Sequence, residues 1–213
     1  MAVIVRPASP GDAAFLAWAV LHAGRAHLAQ GWYDIAIGLS EPGCLRLLER
    51  LVVTRTPSFW RYPNVMVAEV DGQPAAALSA FGSGDGWGDA QAAMAEAAGP
   101  LGWGVVELGA VWARGAYVFS CVFEPDEDCW VIENVAVAPQ FRGQGLAGLL
   151  IDAALTKGRR LGFKTAQLTF VIGNHPAERA YAKAGFHFAA EKRHPAFQAA
   201  TGAPGLKRFS RAI

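Results

Sequence analysis

Two periods of hydrophobic spacing alternate along this 213-residue chain, and the switches between them mark out its elements. Between Ser9 and Leu28 the apolar residues Phe15, Leu16, Ala19, Val20 and Ala23 recur at helical spacing, which predicts an amphipathic helix. Its start is marked chemically. Ser9 is a suitable N-cap, Pro10 sits where an N–H would go unpaired, and Asp12 brings negative charge to the first turn. Residues 2–6 ahead of it read as a first strand that ends at Pro7. After a loop-like segment beginning at Gln30, Ser40-Glu41-Pro42 opens a second helix running to about Val53. Strands at 64–70 and 74–81 flank Asp71-Gly72, a dipeptide that tolerates the positive φ of a tight hairpin turn.

The pattern weakens between Gly82 and Phe123. A short helix is predicted from about Asp89 to Ala97, and residues 104–123 fit helix and strand alike. Past the acidic turn at 124–128 the pattern firms again. It gives a strand at 129–137, a helix from Gly143 to Gly162 and a strand at 165–172. A short helix closed by Gly185 follows, then strands at 187–192 and 206–213. No repeat, linker or low-complexity tail interrupts the series, and the length suits one domain over residues 1–213.

Composition narrows the class of protein. Hydrophobic residues are 53% and charged residues 17%, enough apolar material to bury a core without a disulfide or metal. No apolar run reaches the roughly 18–20 residues that a bilayer requires, so no membrane partner is expected. The start lacks a basic segment followed by a long apolar one, and Cys44, Cys121 and Cys129 cannot all pair and form no C-x-x-C. Reduced thiols and a cytoplasmic location are the expectation. His22 and His27 stand five apart rather than three or four, so no metal site is predicted. A net charge of +1 argues against a nucleic-acid partner. That sum conceals an asymmetry: residues 1–138 hold 7 Lys/Arg against 15 Asp/Glu, and residues 139–213 hold 12 against 3. Such a field draws a polyanionic ligand to the second part and a cation to the first.

The chemistry concentrates in "VAVAPQFRGQGLAG", Val135 to Gly148. Gly143, Gly145 and Gly148 spell G-x-G-x-x-G, the turn that cradles a dinucleotide, while Gln140, Arg142, Gly143 and Gly145 fit another phosphate loop. Both use one device: a strand ends, glycines let backbone N–H groups converge, and a helix N-terminus faces an anion. Context separates them. A dinucleotide turn usually opens its fold and meets an acid about 20 residues later. Here the loop lies two-thirds along the chain, and the following strand "TAQLTFVI" has no Asp or Glu.

Gln140-Phe-Arg-Gly143-Gln-Gly145 resembles the Q/R-x-x-G-x-G/A loop of the GNAT superfamily of acyl-CoA-dependent N-acetyltransferases. The preceding "WVIENVAVAP" is similar to that family's central strand, and Asn174, Tyr181, Gly185 and Phe186 to its Asn-then-Tyr helix followed by Gly-Phe. The opening "VRPASPGD" also resembles the family's first strand and helix start. Residues 84–123 match nothing in that pattern and read as an insertion: a lid, a homodimer contact or extra core. The resemblance implies an α/β fold with a mixed, mainly antiparallel central sheet, splayed at its middle and flanked by helices.

It also implies an activity: direct transfer of an acetyl group from acetyl-CoA to a primary amine while both are bound, without a metal. The acceptor would be a small molecule or a peptide, cationic if the acidic residues Asp126, Glu127 and Asp128 receive it. A longer acyl-CoA, an oxygen acceptor, or a non-catalytic acyl-CoA sensor or interaction module are the other readings. Mapped residue by residue, the backbone of Val135, Ala136 and Val137 would hold the pantetheine arm. Arg142, Gly143, Gln144, Gly145, Leu146 and Ala147, reaching to Gly148, would bind the pyrophosphate. Asn174 would contact the pantetheine or cap its helix.

Glu133 is the candidate base. It lies two residues before Val135, so an unbroken strand turns both to one face. Family members that place their acid on the next strand have it where this chain has Thr169. Tyr181, seven residues after Asn174, is the candidate proton donor to the departing thiolate. Lys157, Arg159, Arg160, Arg179 and Lys183 are available to the 3′-phosphate, with none singled out. Of the N-terminal aromatics, those of "QGWYD", Trp32 and Tyr33, are expected to shape the acceptor pocket, with Trp18, Trp60, Trp87, Trp103 and Trp112 mostly in the core.

Overall fold

A computed structural model describes residues 2–85 and 89–213, which leaves Trp87 and part of the glycine-rich segment around it outside the described residues. In chain order the elements are β1 (Val3–Pro7), α1 (Ala13–Arg25), α2 (Trp32–Ile37), α3 (Glu41–Leu51), β2 (Val65–Val70) and β3 (Gln73–Gly82). There follow α4 (Ala90–Ala98), α5 (Val105–Gly115), β4 (Cys129–Val137), α6 (Leu146–Arg160) and β5 (Thr165–Val171). Last come α7 (His175–Lys183), β6 (His187–Arg193), α8 (Pro195–Thr201) and β7 (Gly205–Ala212). The strands form one seven-stranded sheet in the order β1-β2-β3-β4-β5-β7-β6, in which every pairing is antiparallel except β4 with β5. The expected mixed, mainly antiparallel sheet flanked by helices is therefore present.

Two apolar layers cover the two faces of this sheet. On one face α1, α3 and α4 pack over Val67, Ala77, Phe81, Cys129, Val131 and Ala136. On the other, α6 and α7 pack over Ala76, Leu78, Trp130, Ile132, Leu168 and Phe170. Alternate residues of β3 and β4 go to opposite layers, as a pleated strand requires. The β2–β3 hairpin turns through Asp71 and Gly72 at φ 49° and 80°, the conformation read from that dipeptide.

The chain enters α1 through a 3₁₀ turn at Pro10–Asp12 with Ser9 ahead of it, and the Ser9 hydroxyl donates to Asp12 instead of capping the helix as expected. The Asp12 carboxylate accepts from the Ser9 N–H at 2.7 Å, and Arg6 of β1 donates two hydrogen bonds to the same carboxylate. That guanidinium holds the Asp12 pKa down to about 2. Arg6 also bonds Glu69 of β2, so one cation ties the first helix to two strands.

Other expectations need revising. The loop-like segment after Gln30 contains α2, and residues 104–123 form α5 and a 3₁₀ turn at Ala116–Ser120 rather than a strand. The six residues of α2 are too few to stand alone as a helix. Their neighbour α5 stabilises them: the Arg114 guanidinium donates to the carbonyls of Ala36 (2.9 Å) and Ile37 (2.8 Å), and Trp32 Nε1 donates to the Gly115 carbonyl. Likewise α4 packs on α3, and its Glu96 carboxylate accepts from the N–H groups of Arg55 and Thr56. The described part of 84–123 thus thickens the helical layer over the N-terminal half of the sheet. The helix α8 was not foreseen either.

Candidate active site

The sheet opens at its centre. Strands β4 and β5 pair only from Cys129–Ile132 against Thr165–Leu168, yet β4 runs on to Val137 and β5 to Val171. The cause lies on the other side of β4. Between the pairs Ser79↔Glu133 and Ala77↔Ala136, β3 spends one residue and β4 spends two, Asn134 and Val135. Asn134 absorbs the surplus by adopting φ 52°, and its side-chain N–H donates to Ser79 Oγ at 3.3 Å. A bulge of this kind bends and twists its strand, here away from β5.

The bulge corrects the expected facing of Glu133. In an unbroken strand Glu133 and Val135 would share a side. Instead Glu133 keeps the phase of Cys129 and Val131, toward α1, while Val135 and Val137 pack with the layer of α6. The extra residue separates the candidate base from the residues that follow it.

A cleft of about 670 Å³ fills the opening. Glu133, Val135, Ala136 and Val137 of β4 line it, with Arg142 and Ala147 at one end and Asn174 and Tyr181 across from β4. Gly143, Gln144, Gly145 and Gly148 are not among its lining residues. The first three form an exposed turn beyond Arg142, and Gly148 lies in the first turn of α6. Leu146 buries its side chain in the core under α6, leaving only its backbone to the turn. Gly143 and Gly145 both adopt φ 78°, and no atom lies within 4 Å of where a Cβ would stand on either. The turn is therefore an open backbone cradle at the N-terminus of a 15-residue helix, whose first N–H groups lack intrahelical partners.

Glu133 makes no hydrogen bond or ion pair among the described residues, and burial alone pushes its pKa up to about 7. Its charge reaches the buried Tyr33, whose pKa is raised first by burial and then by Glu133. Tyr181 comes from the opposite layer. It is buried edge-on against Phe170 with ring centroids 5.4 Å apart, and its hydroxyl has no partner among the described residues. Burial raises it to about 12, so the phenol stays protonated across the ordinary pH range. Asn174 Oδ1 caps α7 by accepting from the Ala177 N–H at 3.4 Å.

The other end of the cleft is lined by residues that sequence reasoning passed over: Trp18, His22 and His27 at the end of α1, and Phe123 of the segment before β4. Trp32 and Tyr33 do not line it. Trp32 joins α2 to α5, and the Tyr33 hydroxyl accepts from Trp60 Nε1 at 2.7 Å inside the core. The spacing of Trp18 and His22, one turn apart on α1, was the available signal. The acidic residues at 126–128 do not line the cleft: Asp126 pairs with Arg208 at 3.0 Å and accepts from Gln167. His175, exposed at the start of α7, is outside it as well.

A sheet split beside a glycine turn at a helix N-terminus is the framework of an acyltransferase. The chain matches the acetyltransferase (GNAT) family over residues 49–186, more than half its length, and belongs to that family. Among solved structures it is similar to an N-acetyltransferase from Staphylococcus aureus Mu50 (18% identity, TM-score 0.68, 99% of this chain and 100% of that one). It is also similar to the Drosophila melanogaster polyamine N-acetyltransferase (16%, TM-score 0.55, all of both chains). A third is the ribosomal-protein-S18-alanine N-acetyltransferase of Escherichia coli (15%, TM-score 0.52, 100% of this chain and 94% of that one). At these identities the likeness speaks for the fold alone. No match was found among curated proteins. No described helix is long and apolar enough to cross a membrane.

Proposed function

We propose that this protein transfers an acetyl group from acetyl-CoA to the nitrogen of a primary amine, with both substrates bound in the cleft at once. The observation that carries the reading is the placement of Glu133 and Tyr181: one unpaired carboxylate and one unpaired phenol enter a single cleft from opposite layers of the sheet. A nucleophile and a leaving group need proton transfer on opposite sides of a reacting carbonyl.

The residues present fit the cosubstrate. The open turn at Gly143 and Gly145 and the N-terminus of α6 suit a pyrophosphate. Past Ile132 the edge of β4 is released from β5, so its N–H and C=O groups are free to bind an extended pantetheine arm. Acetyl-CoA supplies the activated acyl group as a thioester. Glu133, with a pKa of about 7, is half ionised near neutrality and accepts the proton that the ammonium must lose before it attacks. A β4 N–H next to the bulge polarises the acyl carbonyl. Tyr181, protonated throughout, donates to the departing sulfur.

Calorimetric titration with acetyl-CoA, with NAD in parallel, tests the loop. Saturable binding of acetyl-CoA and no response to NAD is expected, followed by amine-dependent release of free thiol. Binding of NAD alone would overturn the assignment of the loop and of both proton-transfer residues.

A further inference from the structure

The acceptor end of the cleft has two fixed aromatic walls. On α1, Trp18 is stacked between Phe15 (centroids 5.5 Å) and His22 (4.6 Å), and His22 Nδ1 lies 2.9 Å from the Trp18 carbonyl. A carbonyl can only accept, so Nδ1 carries the hydrogen and the ring is locked against its neighbour. On the facing side, Phe123 is gripped by two cations from the β6–β7 hairpin. Lys192 Nζ lies 4.9 Å from its ring centre and donates to the Val122 carbonyl, while the Arg208 guanidinium lies 4.6 Å from the ring. Arg208 also bonds Asp126 and the Glu124 carbonyl, so the whole segment before β4 is tied down beside the cleft. Rings held this way line the cleft with apolar surface that does not have to be ordered at binding.

The charges are equally selective. Among the described lining residues Glu133 is the one carboxylate, and the α1 end contributes the imidazoles of His22 and His27 rather than a second acid. Of the other N-terminal acids, Asp12 and Glu69 are engaged by Arg6, Asp34 and Glu41 by Arg25 and Asp126 by Arg208, and none of the rest lines the cleft. A second ammonium carried into this space would lose water and meet no counter-charge, which is costly.

We propose that the acceptor is an arylalkyl monoamine: one ammonium directed to Glu133, and an aromatic body held between the Trp18–His22 stack and Phe123. This rests on the acetyl-transfer reading for its chemistry, but not for its binding, and it parts company with the polyamine substrate of the fly enzyme of similar fold. The test is direct calorimetry on the whole protein with three amines: 2-phenylethylamine, butylamine and 1,4-diaminobutane. Phenylethylamine should bind about tenfold more tightly than butylamine through the ring, and diaminobutane about tenfold more weakly than butylamine through its second charge. Phe123→Ala should erase the advantage of phenylethylamine over butylamine, with its circular-dichroism spectrum reporting that the variant is folded. His22→Glu should raise diaminobutane relative to butylamine by supplying the missing carboxylate. Diaminobutane binding as tightly as butylamine, or phenylethylamine gaining nothing from its ring or keeping its gain in Phe123→Ala, would overturn the proposal. Failure of acetyl-CoA to bind would sink the transferase reading and leave this order of amines to stand or fall separately.

Discussion

The two ends of the cleft are made from different atoms. The end near α6 is a backbone structure: two glycines at positive φ, a helix N-terminus and the released edge of β4. The end near α1 is a side-chain structure: an indole, two imidazoles and a phenyl ring, drawn from α1 and from the segment before β4. A backbone site recognises what every acyl donor of one kind has in common, because phosphate and amide groups need only N–H and C=O partners. A side-chain site recognises what differs from one acceptor to the next. One end suits a shared cosubstrate and the other a particular amine.

Substitutions should separate the two ends, and the largest effect belongs where they meet. Glu133→Gln preserves shape and removes the base, so kcat/KM should fall by about 10²–10⁴ with acetyl-CoA affinity unchanged. Because burial holds this carboxyl near pH 7, wild-type kcat/KM should climb as pH rises through that value, as the ionised form appears. The variant should lack that limb, and an identical pH–rate profile would remove Glu133 from proton transfer. Next in size, Tyr181→Phe should lower kcat about 10²-fold and leave both substrate affinities alone; an unchanged turnover would reject the phenol as acid.

Gly145→Val should act on the cosubstrate end alone. A side chain at φ 78° costs roughly 1–2 kcal/mol, and its Cβ would stand where an anion would approach, so acetyl-CoA binding should weaken about tenfold or more. Calorimetry with butylamine should show no change. A parallel loss of amine affinity would mean the two ends are not independent.

The smallest effect is on stability. A carboxyl whose pKa is raised by folding binds its proton more tightly in the native state. The native state therefore loses stability as pH rises from the ordinary value of 4.5 toward about 7. Glu133→Gln escapes this loss. Its melting temperature relative to wild type should be higher at about pH 8 than at about pH 5, and an equal difference at both would contradict the buried state of Glu133.

The same contrast explains what could be read from the chain in advance. Gly143, Gly145 and the Pro10, Asp71-Gly72 and Gly185 signals each describe a local backbone conformation, and local conformation is written in neighbouring residues. The strands and helices from Cys129 onward were legible for that reason, α8 excepted. The α1 end of the cleft was not, because Trp18 and Phe123 line one space only after the sheet has formed. The segment around Trp32 and Tyr33 looked suited to that end, but α5 draws it into the core. The helix α2 escaped for the same reason: Arg114 satisfies its last carbonyls and the Gly115 carbonyl holds its Trp32 indole, both far away in sequence. The facing of Glu133 escaped because period-two reasoning assumes an unbroken ladder, and Asn134 breaks it.

That one surplus residue works as a phase shift in a wave. Upstream of Asn134 the odd-numbered positions of β4 address α1, and downstream the even-numbered ones do. Drawing Asn134 into the ladder as an ordinary paired residue would restore a regular wave and could satisfy only one half of it. Either Glu133 would turn into the oily layer beneath α6, or Val135 and Val137 would turn out of it. A strand with an error in its count is, here, what allows one segment to turn a carboxylate to one layer and, two residues on, an aliphatic side chain to the other.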